Sequence, residues 1–188
     1  MTDPVTAAAV DRAREAIDRK IRLVPDFPEP GIAFKDLTPV LADPEGLAAI
    51  VAALADFCRG ADLIAGLDAR GFLLGGAVAA ELGVGVVAVR KGGKLPPPVI
   101  GIDYELEYGR ARLEVPAEGL DLRGKRIAVT DDVLATGGTA VAAGALLRDA
   151  GAQVHSIAVI MELAGMPGRS VVRDGLGADV PVRTVCEG

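Results

Sequence analysis

Hydrophobic and polar positions follow two different periods along the chain. Short, almost purely aliphatic runs occur at 62–67, 85–91, 125–130 and 155–163, and stretches of helical length lie between them. Such runs are typical of strands that are buried on both faces, and helices usually connect parallel strands. The pattern therefore predicts an α/β fold with a central, mostly parallel sheet and helices on both faces. One more strand is predicted at 181–185.

The stretches between the strands have helical patterns. Asp43 before Pro44 is a favourable helix start, because Asp accepts hydrogen bonds from free N–H groups and Pro fits the first turn. The tetrapeptide DARG (68–71) is predicted to be a loop. The predicted helices span residues 6–22, 44–58, 72–82 and 139–151.

Two segments interrupt this alternation. VPDFPEPGIAFKD (24–36) contains three prolines and is predicted to be an ordered, non-helical arm. Residues 104–115 alternate around Gly109 as a solvent-facing hairpin does. The preceding GGKLPPP cannot continue a helix or a strand. These segments are therefore expected to stand apart from the alternating core.

Composition narrows the class of protein. Hydrophobic residues make up 51% of the 188 residues and aromatic residues only 3%, so an aliphatic core is expected. The length fits one domain over residues 1–188. A formal net charge of −6 argues against a general nucleic-acid binder, which needs a basic face.

Cysteine and histidine usage gives no sign of a metal site. Cys58 and Cys186 lack CxxC spacing, and His155 is the single histidine, so neither structural zinc nor a disulfide framework is expected. The first twenty residues lack the apolar stretch of a signal peptide. Glycines and Glu81 interrupt the longest apolar run, so no membrane span is expected, and the expected location is the cytoplasm.

The stretch VTDDVLATGGTA (129–140) carries the most specific chemistry. It places Asp131 and Asp132 at the end of a predicted buried strand, directly before a Thr-Gly-Gly-Thr turn into a helix. Ligands of parallel sheets bind at the carboxyl ends of the strands. Free N–H groups at a helix start bind anions, and carboxylates accept hydrogen bonds from sugar hydroxyls. The stretch therefore predicts a site for a ribose 5-phosphate.

Other phosphate-binding motifs fit this stretch less well. A P-loop needs GxxxxGK[ST], and no lysine follows Gly138. A dinucleotide-binding fingerprint places its glycines first and its acid about twenty residues later. Here the acids come first.

The stretch resembles the signature of type I phosphoribosyltransferases. PDFPEPGIAFKD (25–36), AGLDARGF (65–72), RKGGKLP (90–96) and LEYG (106–109) are most similar to the members of that family that act on adenine. The resemblance implies transfer of the 5-phosphoribosyl group from phosphoribosyl pyrophosphate to adenine, giving AMP and pyrophosphate. It further implies Mg²⁺ held mainly through the substrate, a homodimer, and no nucleic-acid or membrane partner.

The resemblance assigns a part of the chain to each part of the substrates. It implies a small N-terminal base-binding hood at about 24–40 and a flexible hairpin lid at about 91–110. The pyrophosphate ligands would be Arg70, Arg90, Lys91, Lys94 and Tyr108, with Arg70 and Lys94 also counted as catalytic. The ribose and its 5-phosphate would bind Asp131, Asp132, Ala135, Thr136, Gly137, Gly138 and Thr139.

The expected adenine site follows from the same resemblance. Phe34 would stack on one face of the base and Leu163 on the other, while backbone groups of Ala33 and Lys35 bind the purine edge. Glu105 and Glu107 share a strand face, so spacing does not choose between them. The LEYG match selects Glu107 as the catalytic group that handles the adenine proton.

Two alternatives stay open. A transferase for 6-oxopurines would typically carry a lysine and an aromatic residue late in the chain, where this sequence has VIMELAG (159–165). A regulator that senses phosphoribosyl pyrophosphate without catalysis would need a DNA-binding appendage or a basic surface.

Overall fold

The computed structural model describes residues 4–27, 29–106 and 109–188. Its described helices are α1 Pro4–Lys20, α2 Thr38–Leu41, α3 Pro44–Cys58, α4 Arg70–Leu82, α5 Gly138–Asp149 and α6 Gly168–Leu176. Its described strands are β1 Arg22–Val24, β2 Phe34–Asp36, β3 Leu63–Leu67, β4 Gly85–Lys91, β5 Val99–Leu106, β6 Gly109–Pro116, β7 Arg126–Leu134, β8 Gln153–Glu162 and β9 Val182–Glu187.

A seven-stranded sheet forms the centre of the molecule, in the order β5-β6-β4-β3-β7-β8-β9. In this order the five strands β4, β3, β7, β8 and β9 run parallel to their neighbours. Strand β6 pairs antiparallel with both β4 and β5, so the hairpin β5–β6 extends the sheet at its β4 edge. The prediction of an α/β fold with a mostly parallel central sheet is therefore confirmed. Strand β9 covers most of the predicted 181–185 and continues to Glu187.

Helices cover both faces of this sheet and create two aliphatic cores. On one face α1, α3 and α4 pack over side chains such as Ile64 and Ile160. On the other face α5 and α6 pack over side chains such as Leu67 and Ile157. Phe57 is the single aromatic residue among the buried members of both clusters in the described part of the chain. The aliphatic core expected from composition is thus observed.

The arm between α1 and α2 contains a small antiparallel sheet that the sequence pattern did not predict. Arg22 pairs with Asp36 and Val24 with Phe34 across β1 and β2. The Asp36 carboxylate accepts a hydrogen bond from the Thr38 N–H (2.9 Å) and lies 3.0 Å from the Arg22 guanidinium. Both contacts hold the pKa of Asp36 below its usual value, with Thr38 the larger cause. They fix the arm to the start of α2.

Three predictions about local structure were wrong. Helix α4 begins at Arg70, so the expected loop 68–71 is shorter than predicted. Helix α6 was missed, because glycines and charged residues surround its two buried aliphatic side chains, Val172 and Leu176. Strand β5 begins at Val99, earlier than the predicted hairpin start.

The hairpin β5–β6 is also less exposed at its base than predicted. Leu113 and Val115 are buried, with 1% and 0% exposure, because β6 pairs with β4 and becomes part of the sheet. Among the helices of the described ranges, none has both the length and the apolar character needed to cross a bilayer.

Candidate active site

The acid pair, Asp131 and Asp132, lies where β7 extends beyond the end of its neighbour β3. Pairing between these strands ends at Gly66 and Thr130, while pairing of β7 with β8 continues to Leu134. The sequence pattern predicted that the strand ends at residue 130, directly before the acid pair. Asp131 and Asp132 instead lie inside the longer strand β7. The β3 side of this segment is open to the start of α4.

Three glycines bring α4 unusually close to the sheet. A Cβ added to Gly66 would overlap the Gly71 carbonyl oxygen, and one added to Gly71 would lie 2.6 Å from the Thr130 carbonyl oxygen. A Cβ on Gly75 would lie 2.9 Å from the Thr130 Oγ1. No other residue fits at such distances without displacing backbone. The first turn of α4 is therefore held against the acid pair.

This packing creates a half-buried ion pair. The Nε of Arg70, the first residue of α4, lies 2.6 Å from Oδ2 of Asp132, whose side chain is 9% exposed. Asp131 Oδ1 accepts a hydrogen bond from the Asp132 N–H at 2.9 Å. Burial, and next the charge of Asp132, raise the pKa of Asp131 to about 8, while Arg70 acts in the opposite direction. Arg70 thus pairs with Asp132, and its charge also acts on the neighbouring carboxyl group of Asp131.

The turn after β7 has the geometry of an anion site. Gly137 adopts φ 87° as the residue before α5, and a Cβ there would lie 2.7 Å from the Gly168 carbonyl oxygen. Helix α5 begins without a side-chain cap, so the N–H groups of its first turn are available to a ligand. A cavity of ≈ 110 Å³ opens here, lined in part by Asp131, Ala135, Thr136, Gly137 and Thr139.

Arg90 reaches the same edge from the end of β4. Its Nε is buried, has no hydrogen-bond partner within the described ranges, and lies 3.8 Å from Asp68 Oδ2. Its Cζ lies 5.7 Å from the centroid of the Phe72 ring. Sequence reasoning missed Asp68, although an acid that directly follows a buried strand could have indicated it. Lys91 and Lys94 are exposed beside Arg90.

Strand β5 runs beside the turn that follows β7. Ile100, Ile102 and Tyr104 pack against the core beneath α5, and the Tyr104 hydroxyl lies 3.5 Å from Thr139 Oγ1. This contact was not predicted. Glu107 and Tyr108 lie outside the described residues, so their predicted roles stay predictions.

The predicted base-binding residues come from two segments near the end of β8. Phe34 packs edge-on against Phe27, with ring centroids 5.2 Å apart. A Cβ on Gly188 would lie 3.1 Å from Lys35 Nζ, so the arm reaches the end of the chain. Leu163 follows β8, and its N–H donates to the Leu134 carbonyl at 2.9 Å. Ala33 is exposed.

A carboxylate pair, a cation and an amide-lined turn on one sheet edge define a protein that binds a sugar phosphate. The model of the phosphoribosyl transferase domain matches residues 40–174, and the chain belongs to this family.

Within the family, several similar proteins are named adenine phosphoribosyltransferase. The chain is 65% identical to the adenine phosphoribosyltransferase of Mycolicibacterium vanbaalenii over 84% of its length and 91% of the relative. It is 54% identical to that of Mycobacterium avium over the full length of both. A solved adenine phosphoribosyltransferase from Saccharomyces cerevisiae, complexed with D-2,5-dideoxy-2,5-imino-altritol 1,6-bisphosphate and adenine, superimposes with a TM-score of 0.82 at 35% identity, covering 93% of this chain and 98% of that one.

Proposed function

We propose that this chain transfers the 5-phosphoribosyl group from phosphoribosyl pyrophosphate to adenine, giving AMP and pyrophosphate, as a step of purine salvage. The observation that carries the proposal is the Asp131–Asp132 pair, which lies shortly before the turn into α5 and of which Asp132 is ion-paired with Arg70. The name shared by relatives at 54–65% identity selects adenine as the base.

The first half of the site binds ribose 5-phosphate. Asp131 and Asp132 accept hydrogen bonds from the ring hydroxyls, since each carboxylate oxygen has two acceptor positions. Backbone N–H groups and the hydroxyls of the turn bind the 5-phosphate, helped by the positive end of α5. The members of this turn are Ala135, Thr136, Gly137, Gly138 and Thr139.

The second half binds the leaving pyrophosphate. The bond between ribose C1 and the pyrophosphate oxygen breaks, and its electron pair leaves with the pyrophosphate. Cations stabilise that charge, and the buried Nε of Arg90, which has no hydrogen-bond partner among the described residues, supports a ligand here. Arg70 contacts Asp132 and begins α4 two residues after Asp68, which lies near Arg90, so we place Arg70 at the bond that breaks. The proposed pyrophosphate ligands are Arg70, Arg90, Lys91, Lys94 and Tyr108.

Mg²⁺ fits this site as an ion shared with the substrate. Within the described ranges, no three or more His, Cys, Asp or Glu side chains cluster so as to hold a metal ion by themselves. Mg²⁺ commonly binds one or two carboxylates together with substrate phosphates and waters, and Asp132 offers one such carboxylate, so the ion would be held mainly through the substrate. When bound, Mg²⁺ neutralises charge on the pyrophosphate.

Adenine is placed by the arm and by the residue after β8. Phe34 and Leu163 cover its two faces, and backbone groups of Ala33 and Lys35 bind its polar edge. Adenine attacks C1 through N9 and must lose one proton overall, and Glu107 handles that proton through N7. We further propose that residues 24–40 act as a hood, that 91–110 act as a lid, and that the chain works as a cytoplasmic homodimer.

Product identification tests the proposal. The protein is mixed with Mg²⁺, phosphoribosyl pyrophosphate and, separately, adenine, hypoxanthine or guanine. We expect AMP and pyrophosphate with adenine and little turnover of the other two bases. Strong turnover of hypoxanthine would instead make the chain a 6-oxopurine transferase. Binding of phosphoribosyl pyrophosphate without any product would favour a sensing regulator.

A further inference from the structure

A second buried carboxylate lies away from the acid pair, on the base of the hairpin. Glu114 of β6 is 6% exposed. Its Oε2 accepts a hydrogen bond from the Gly93 N–H at 2.9 Å, and its Oε1 accepts one from Arg112 Nε at 3.0 Å. A buried charge is stable only when it is paired, so these two partners are needed.

Arg112 connects this carboxylate to the rest of the hairpin. Its Nη1 donates to Asp103 Oδ2 at 3.0 Å, and its carbonyl accepts from the Gly92 N–H at 2.8 Å. A Cβ on Gly101 would overlap Arg112 Nη2, and one on Gly92 would lie 3.1 Å from Arg112 Cβ. The guanidinium therefore occupies a space that two glycines leave open.

The contacts of Glu114 and Arg112 fix the turn 92–94, which lies among basic residues and is called the basic turn below. Gly92 and Gly93 separate Arg90 and Lys91 from Lys94. Gly93 has φ 74°, and a Cβ added to it would meet no atom within 4 Å, so its own packing does not order it. Arg90 Nη1 donates to the Lys94 carbonyl at 3.2 Å, which transmits the position of the turn to Arg90. The N–H groups of Gly92 and Gly93 are held by Arg112 and Glu114.

We propose that Glu114 and Arg112 are positioning residues for the pyrophosphate half of the site. They hold the turn 92–94 so that Arg90 and Lys94 face the same diphosphate, and they do not touch the substrate. This inference rests on the proposed function, because it takes the basic turn as the pyrophosphate site.

The first test separates the two halves of the substrate. Calorimetry measures binding of pyrophosphate and of ribose 5-phosphate, each with Mg²⁺, to the wild-type chain and to the variant Glu114→Gln. Gln keeps one acceptor for Gly93 but loses the charge that faces Arg112. We expect the pyrophosphate Kd and the KM for phosphoribosyl pyrophosphate to rise roughly tenfold, the loss of about one charge-assisted hydrogen bond. Ribose 5-phosphate affinity and the KM for adenine stay within about twofold.

Asp103→Asn is the matched control. It changes the other carboxylate on the same guanidinium, but its side chain is 69% exposed. An exposed partner contributes little, so we expect less than about a twofold change in either affinity. Arg112→Met and the double variant that combines it with Glu114→Gln complete a double-mutant cycle. The double variant should bind pyrophosphate no more weakly than the single variant that has the lower affinity.

The outcomes decide between positioning and general stability. Equal losses of pyrophosphate and ribose 5-phosphate affinity would assign the pair a purely structural role, and unchanged pyrophosphate binding would also overturn the proposal. If Glu114→Gln does not fold, Arg112→Lys, which keeps the charge, carries the same test. The binding measurements need no turnover, so they remain decisive even if the wild-type chain makes no AMP.

Discussion

The strand-edge site (Arg70, Asp131, Asp132 and the turn 135–139) and the hairpin region (residues 90–116) are built differently. The first is half-buried, is closed by an ion pair of 2.6 Å and is held by glycines that let α4 approach the sheet. The second is exposed at Lys91 and Lys94 and is joined to the sheet at its β4 edge. The strand-edge site is thus held in place by its own contacts, whereas the lysines of the hairpin region lie in solvent.

The proposed reaction gives this difference a reason. The ribose 5-phosphate group is present in both the substrate and AMP, so a rigid site serves it throughout. Pyrophosphate must be held during bond breaking and then released. Exposed cations on a separately fixed turn can hold it and let it go, because ion pairs at the surface are weak.

The largest effect that would sharpen the comparison is expected from Glu107. We predict that Glu107→Gln lowers kcat by roughly 10²–10⁴-fold, because a general acid–base group is lost. Binding of phosphoribosyl pyrophosphate should be retained, since the strand-edge site is untouched. Steady-state kinetics and calorimetry on the same preparation check both statements. Normal turnover of adenine by the variant would remove Glu107 from the mechanism.

A smaller effect is expected from the pH dependence of the strand-edge site. The pKa of Asp131 is raised from 3.8 to about 8, so between these pH values the folded chain keeps a proton that the unfolded chain releases. The wild type should therefore lose stability as pH rises through this window, by at most about 1.4 kcal/mol per pH unit for one group. Asp131→Asn lacks this contribution.

Thermal unfolding of both chains at about pH 5 to 8.5, a range inside and just above this window, measures the difference. Titrating groups that do not interact with Asp131 are common to the two chains and cancel when the curves are subtracted, so the difference reports the titration of the Asp131–Asp132 pair. The stability of the wild type relative to Asp131→Asn should fall as pH rises. Parallel curves would mean that Arg70 fully compensates the buried carboxyl group, and the strand-edge site would then be no more strained than the hairpin.

The strand-edge site was largely predictable from sequence because parallel strands determine it. Once 62–67 and 125–130 are assigned to one parallel sheet, their carboxyl ends must meet at the same edge. That placed Arg70 and the acid pair together, although they are far apart in sequence. Chain order and strand direction were sufficient, with no knowledge of side-chain contacts.

The hairpin region was predicted less well because partners distant in sequence determine it. The alternation at 104–115 looked solvent-facing, yet pairing of Arg90 with Glu114 makes the end of β6 part of the sheet and buries Leu113. The contact between Arg90 and Asp68 depends on the pairing of β3 with β4, which ends with Leu67 beside Val89. Helix α6 was missed for a local reason, since its two buried aliphatic side chains at i and i+4 are a weak helical signal.

The smallest predicted effects come from two adjacent glycines of α4. A Cβ on Gly75 would lie 2.9 Å from Thr130 Oγ1 and 3.1 Å from Gly66 Cα, whereas a Cβ on Gly76 has no neighbour within 4 Å. Gly75→Ala should lower the free energy of unfolding by about 1–3 kcal/mol, because α4 must move away from the sheet. Gly76→Ala should raise it by about 0.5–1 kcal/mol, because Ala favours the helix.

These two variants test whether close packing is what fixes Arg70 beside Asp132. Denaturant unfolding gives the stabilities, and calorimetry gives the affinities of the same proteins for ribose 5-phosphate and for pyrophosphate. If packing fixes Arg70, Gly75→Ala weakens binding of pyrophosphate, for which Arg70 is a proposed ligand, and binding of ribose 5-phosphate, because Asp132 loses its ion pair; Gly76→Ala changes neither affinity. Were Gly75→Ala to lower the stability and leave both affinities unchanged, close packing of α4 would not be what fixes Arg70, and the contrast between a strand-edge site held by its own contacts and an exposed hairpin region would fail.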